Sequence, residues 1–289
     1  MTPYDAQVID RFMFDTALSL VWGGGGFVMV APRQVRTRLQ SAMRTPSAVC
    51  GLAACIAGAA ALPIQAAIIG SDWASAGRWD ILVAVALQTH TGMSLAISAA
   101  GVGFALALAT ATDRPRTSVF LSFLAICGLA TRGHSAGLSG AAGWVQLMIS
   151  AVHVLSATAW FGALVPFVLL VRLSAPQADG AVVAMKRFSR FGHVAVALVL
   201  TSGIANAVLV LGRLPLDWSS PYQWKLSWKI AAALAMTCMA LANRYVFVPM
   251  RGTHPITSRS LLVGGCGAEI LLGLSAFALV ASLGLDDPN

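Results

Sequence analysis

Two apolar runs in this chain are longer than any soluble core requires, and each carries a histidine in its interior. ILVAVALQTHTGMSLAISAAGVGFALALAT (81–110) holds His90, and WVQLMISAVHVLSATAWFGALVPFVLLV (144–171) holds His153. A hydrocarbon layer about 30 Å thick takes roughly 20 apolar residues of helix, so both runs can span a bilayer. An ionisable side chain inside a span is costly, and it marks a binding site or a pathway. Histidine can ligate a metal while it stays neutral.

The rest of the chain follows the same pattern. It is 57% hydrophobic and only 10% charged, with a mean hydropathy of +0.77. The expected fold is all-α: one polytopic membrane domain over residues 1–289, a bundle of eight transmembrane helices. The spans are expected at 11–31, 47–70, 81–111, 117–132, 144–171, 190–212, 223–248 and 261–284. The fourth is short and the third and fifth are long, which calls for tilt or interfacial extensions. The opening MTPYDAQVIDRFMFD lacks the basic start and apolar run of a cleaved signal peptide, so the first span is expected to be retained.

Charge sorts along these spans. The odd-numbered connections hold Arg33, Arg36, Arg38, Arg44, Arg114, Arg116, Arg172, Lys186, Arg187, Arg190, Arg244, Arg251 and Arg259, thirteen of the nineteen basic residues. Lys and Arg collect on the cytoplasmic side, which puts both termini in the periplasm of a bacterium. Trp73, Trp79, Trp144, Trp218 and Trp224 fall near the expected outer boundaries, as an aromatic belt does. The net charge of +8 is therefore assigned to topology, and no nucleic-acid partner is expected. The segment from Met185 to His193 is expected to lie at the cytoplasmic interface before the sixth span begins. Five cysteines, all within apolar segments, argue against a disulfide framework, and Cys127 is a weak candidate ligand.

The third and fifth spans run the same way, and His90 and His153 each lie about nine residues, or roughly 14 Å, below the outer boundary. Equal depth is what a shared ligand requires. Met93 shares a helical face with His90, and its thioether suits Cu(I). His134, in Arg132-Gly133-His134-Ser135, lies just beyond the outer end of the fourth span, where a glycine-flanked loop could fold over the bundle. The candidate metal set is thus His90, Met93, His134 and His153. Against it stands the plain alternative that an intramembrane histidine hydrogen-bonds a neighbouring helix. Lys229 and Glu269 are buried polar residues of a second set, either structural or a proton or cation relay. His193 and His254 are expected to be structural.

Gly133-His134, then HVLSATAWFGAL (His153 to Leu164), RFSRFGHVAVALVLTSGIANA (Arg187 to Ala207), Tyr222 and Lys229 in YQWKLSWK, Asn243-Arg244 before Pro249, and Glu269 together resemble the bacterial copper resistance protein D (CopD) family. The resemblance is strongest over about 117–284 and looser before that. Ser135 and Ala163 depart from the family's usual Ala and Gly. The resemblance implies eight spans and the handling of copper at the bacterial inner membrane. His90 and Met93 lie outside the matching segments.

The reading that follows is a permease for copper, with Cu(I) favoured over Cu(II), through a His/Met site in the outer half of the bundle. It would be served by a periplasmic copper-binding protein. The chain has neither a GKT/S loop nor a DKTGT segment, so no nucleotide partner and no enzymatic activity are expected. Two rivals stand beside it. One is a b-type haem carrier with His90 and His153 as axial ligands. The other is a non-transporting copper-delivery or assembly partner.

Overall fold

The computed structural model describes residues 1–89, 92, 102–130, 140–173, 179–212, 217–284 and 286. Helix α1 (Pro3–Ser19) starts well before the expected first span because Thr2 caps it. The Thr2 hydroxyl accepts from the Asp5 N–H at 3.2 Å and the Asp5 carboxylate accepts from the Thr2 N–H at 2.9 Å, with Pro3 in the first turn. The chain then widens into a π turn (Leu20–Gly24) and resumes as α2 (Gly25–Val30). Ala31 is extended, as a residue before proline prefers.

Helix α3 (Arg33–Ile69) runs 37 residues, roughly 55 Å, so its basic first third extends past the apolar layer. After a 3₁₀ turn (Trp73–Gly77) come α4 (Trp79–Gln88), α5 (Val102–Ala111), α6 (Pro115–Ala130), α7 (Gly140–Leu173), α8 (Asp179–Leu211), α9 (Pro221–Ala242) and α10 (Pro255–Leu283). Between α9 and α10 lie a second π turn (Asn243–Phe247) and a 3₁₀ turn (Pro249–Gly252). No strand occurs among the described residues.

Among the described residues, six helical stretches are long and apolar enough to cross a membrane: Pro3–Val30, Arg33–Ile69, Gly140–Leu173, Gly180–Leu211, Pro221–Gly252 and Pro255–Leu283. The protein is an all-α polytopic membrane protein. The expected third span is not one described helix: α4 stops at Gln88, where Thr89 is extended, and α5 supplies its other end. The expected fourth span corresponds to α6, which is shorter than the six. The segment expected at the cytoplasmic interface, Met185 to His193, is an unbroken part of α8. Its charges occupy the first turns of the spanning helix itself.

Helix α7 is central and packs on α8, the first π turn, α10 and α6. Glycine allows its closest approach. A Cβ on Gly23 would sit 2.5 Å from the Ala159 carbonyl, and one on Gly162 would collide with the Ser19 carbonyl. The Trp22 indole donates to the Leu155 carbonyl at 3.1 Å and locks the crossing. One core joins Phe27, Leu39, Phe167, Leu170 and Leu262, and a second joins Leu18, Val21, Ala54, Leu106 and Ile126. Leu52, Ile56, Phe104, Phe120, Ile204, Val208 and Leu271 are exposed in mid-helix, a surface that suits lipid and not water.

Candidate functional site

His153 lies half-buried on α7 against α8. Its Nδ1 is 3.1 Å from the Val199 carbonyl oxygen and 3.1 Å from the Ser202 hydroxyl. A carbonyl can only accept. The Ser202 proton is already committed to the Leu198 carbonyl, so this hydroxyl also faces Nδ1 as an acceptor. Both partners therefore call for a proton on Nδ1. In the neutral ring that leaves Nε2 with its lone pair unprotonated, the form a metal ligand takes. Gly203 makes room, since a Cβ there would stand 3.1 Å from Cε1 of the ring. One turn away, Ser150 donates to the Asn206 side-chain oxygen at 3.1 Å and fixes the same pair of helices.

Other polar groups gather near this level. On α1, Arg11 approaches Asp15 at 3.8 Å, and Asp15 is only 7% exposed. Lys229 of α9 is half-buried. Its charge acts on His153, and the charge of Arg11 acts on Lys229. Nearer the chain end, Lys225 pairs with Asp286 at 2.7 Å. Gln146 and Gln223 are almost fully buried in this half of the bundle.

A second cluster lies two helical turns further along α7. Trp160 follows His153 by seven residues, on the same face and roughly 10 Å away along the axis. It lines the same cavity as Glu269 of α10, which is 2% exposed. Asn243, the first residue of the second π turn, donates to the Glu269 carboxyl at 2.5 Å and lies 3.8 Å from the Cys266 sulfur. Gly265 admits Asn243, whose side-chain oxygen occupies the place of the missing Cβ. These residues line a cavity of about 290 Å³ that His193 and Ser189 also reach. His193 Nδ1 is 2.6 Å from the Ser189 carbonyl and Nε2 is 3.2 Å from the Tyr245 hydroxyl. Both nitrogens of His193 thus have partners within the protein.

Of the expected metal set, His153 stands in this position, whereas His90, Met93 and His134 lie outside the described residues. Among the described residues, no group of three or more His, Cys, Asp or Glu side chains is placed to hold a metal ion. Of the second expected polar set, Glu269 lines the cavity near Trp160 and Lys229 is half-buried on α9. Cys50, Cys55, Cys127, Cys238 and Cys266 are free thiols. Sequence reasoning did not assign roles to Ser202, the Val199 carbonyl or Trp160. The signal available was the family-like segment Arg187 to Ala207, which contains two of them.

The chain is similar to known proteins over most of its length. Residues 1–144 match the family described as copper resistance protein D-like, N-terminal domain, and residues 182–283 match the family described as copper resistance protein D. The inner membrane protein YebZ of Escherichia coli (strain K12) is 31% identical over 243 residues, 83% of each chain. Copper resistance protein D of Pseudomonas syringae pv. tomato is 29% identical over 180 residues, 58% of each chain. No solved structure matches.

Proposed function

This chain belongs to the copper resistance protein D family, and we propose that it is an inner-membrane permease that carries Cu(I) from the periplasm toward the cytoplasm. The observation that supports this best is the His153 ring, whose Nδ1 faces two acceptors and whose Nε2 is left as the ligand nitrogen. A metal-bound histidine characteristically donates its other N–H to a carbonyl in this way. In this reading His134 and His153 capture the ion, and His90 and Met93 complete the site. Imidazole and thioether hold Cu(I) without adding negative charge to a low-dielectric layer. A periplasmic copper-binding protein delivers the ion. Transport, not catalysis, is the activity. The positive charge of Lys229 near His153 opposes a resident cation and so favours release over storage.

The test is copper and iron per chain, measured by mass spectrometry on protein purified in detergent, loaded with Cu(I) and desalted. Wild type should retain about one copper, and His153→Ala should lose at least about tenfold in affinity, as loss of a ligand does. Copper uptake into proteoliposomes should fall in the same variant. Near-stoichiometric iron in place of copper would instead make His90 and His153 haem ligands. Full copper retention by the variant would remove His153 from the site. Retention without uptake would leave a delivery partner and overturn the permease.

A further inference from the structure

An apolar groove of about 470 Å³ runs along the bundle between α2 and α8, with α7 as its floor. One wall is Trp22, Phe27 and Val30, and the other is Phe191, Val194 and Leu198. Along the floor it extends from Val152 to Ala163, roughly 16 Å. Three glycines line it; Gly23 is held by its close approach to α7, but a Cβ added at Gly26 or Gly192 would meet nothing within 4 Å. Contacts within the protein do not require glycine at these places. What glycine does there is keep the groove open.

The groove ends at Val30, and there the chemistry changes sharply. The Arg187 guanidinium donates to the Val30 carbonyl at 2.6 Å. Arg187 also lines a neighbouring pocket of about 460 Å³, together with Arg33, Arg36 and Gly180. Arg36 spends Nε and Nη2 on the Ala31 carbonyl, at 3.1 and 2.8 Å. A guanidinium carries five N–H donors, so Arg36 and Arg187 keep donors to spare. Among the described residues none of the three arginines is in an ion pair. Three unneutralised guanidiniums at one end of an acyl-sized apolar groove match a single amphiphile with an anionic head.

We propose that pocket and groove together bind one anionic phospholipid, its phosphate held by Arg33, Arg36 and Arg187 and one acyl chain lying along Trp22, Phe27 and Leu198. Guanidinium forks suit phosphate oxygens, and basic pockets between helices at the membrane surface take anionic head groups. The lipid would fill the seam between α2 and α8, whose only described hydrogen bond at this end is that of Arg187 to Val30. It would thereby steady the face of α8 that carries Val199 and Ser202. This site is independent of copper.

Native mass spectrometry of the full chain in mild detergent tests it, with phosphatidylglycerol, phosphatidylethanolamine of the same chains, and inorganic phosphate as probes. Wild type should prefer phosphatidylglycerol and show no phosphate adduct. Arg33→Gln, at an exposed position outside the packed core, should weaken phosphatidylglycerol about fivefold, the effect of roughly 1 kcal/mol per basic residue, and weaken phosphatidylethanolamine, whose ammonium offsets the phosphate charge, less, so that the preference shrinks. Gly26→Leu, which fills the groove, should weaken both lipids alike. Equal binding of the two lipids by wild type would overturn the proposal. So would displacement of lipid by phosphate, or an unchanged preference in Arg33→Gln.

Discussion

Helix α7 touches two buried polar centres, and they are satisfied in opposite senses. Around His153 the neighbours are acceptors, the Val199 carbonyl and the Ser202 hydroxyl, so one ring nitrogen is spent and, among the described residues, the other is left over. Around Glu269 the neighbour is a donor, the Asn243 amide, so the carboxyl is engaged from inside the protein. A group whose free lone pair is left by the fold is built to meet something from outside. A carboxyl met by a donor from within the protein is built to hold helices together or to pass a proton. In the proposed reading, the His153 level is the place for cargo and the Glu269 level a lock between the π turn after α9 and α10.

The sharpest way to break that contrast is to remove an acceptor from His153 without touching the ring. Ser202→Ala leaves the Val199 carbonyl to orient the ring but loosens it. Loss of such an orienting partner lowers metal affinity by about 10- to 100-fold, and the lower end is expected here because one acceptor survives. Competition against a Cu(I) chelator reads the change. Affinity equal to wild type would mean that the ring is not held for a metal. Glu269→Gln is the control from the other centre, and it should leave the affinity unchanged.

The second centre should answer in stability. Asn243→Ala strips a donor from a carboxyl that is 2% exposed. Leaving a buried polar group unsatisfied costs about 1–3 kcal/mol. The unfolding midpoint of the variant in detergent should therefore fall, with copper affinity little changed. A variant as stable as wild type but poor in copper would reverse the roles assigned to the two centres.

How much of this was readable in the sequence follows from what each feature depends on. Apolar length alone carries the helical membrane class, and six of the expected spans coincide with long apolar helices. Helices begin before the expected spans where a cap or a charged first turn lies outside the apolar run: Thr2-Pro3 advances α1, and α8 reaches back to Asp179 through the basic segment. Hydropathy is blind to both. His153 was legible because a histidine in a span stands out by cost. Its partner Val199 was not, because a carbonyl acceptor has no side-chain signature. Asn243 was visible as a polar residue, but its bond to Glu269 depends on a π turn that rotates it onto α10, and no residue pattern announces such a turn.

The smallest effect belongs to the loop after α3, outside the apolar layer, and it sets a scale for exposed polar contacts against the buried ones. Asp72 accepts from the Ser75 hydroxyl at 2.7 Å and from the Ser75 N–H at 2.8 Å. These bonds, the hydroxyl first, hold its carboxyl below the usual carboxylate range. The folded value is lowered, so the contribution to the turn is present above the unfolded value near 4 and is lost as pH falls through the lowered one. Hydrogen exchange across residues 71–77, corrected for the intrinsic rate, should rise slightly on acidification below that range. Asp72→Asn should abolish the pH dependence, because an amide does not titrate. The copper affinity proposed for the His153 site should not respond to this substitution at all, and a response would mean that the loop and the buried site are coupled.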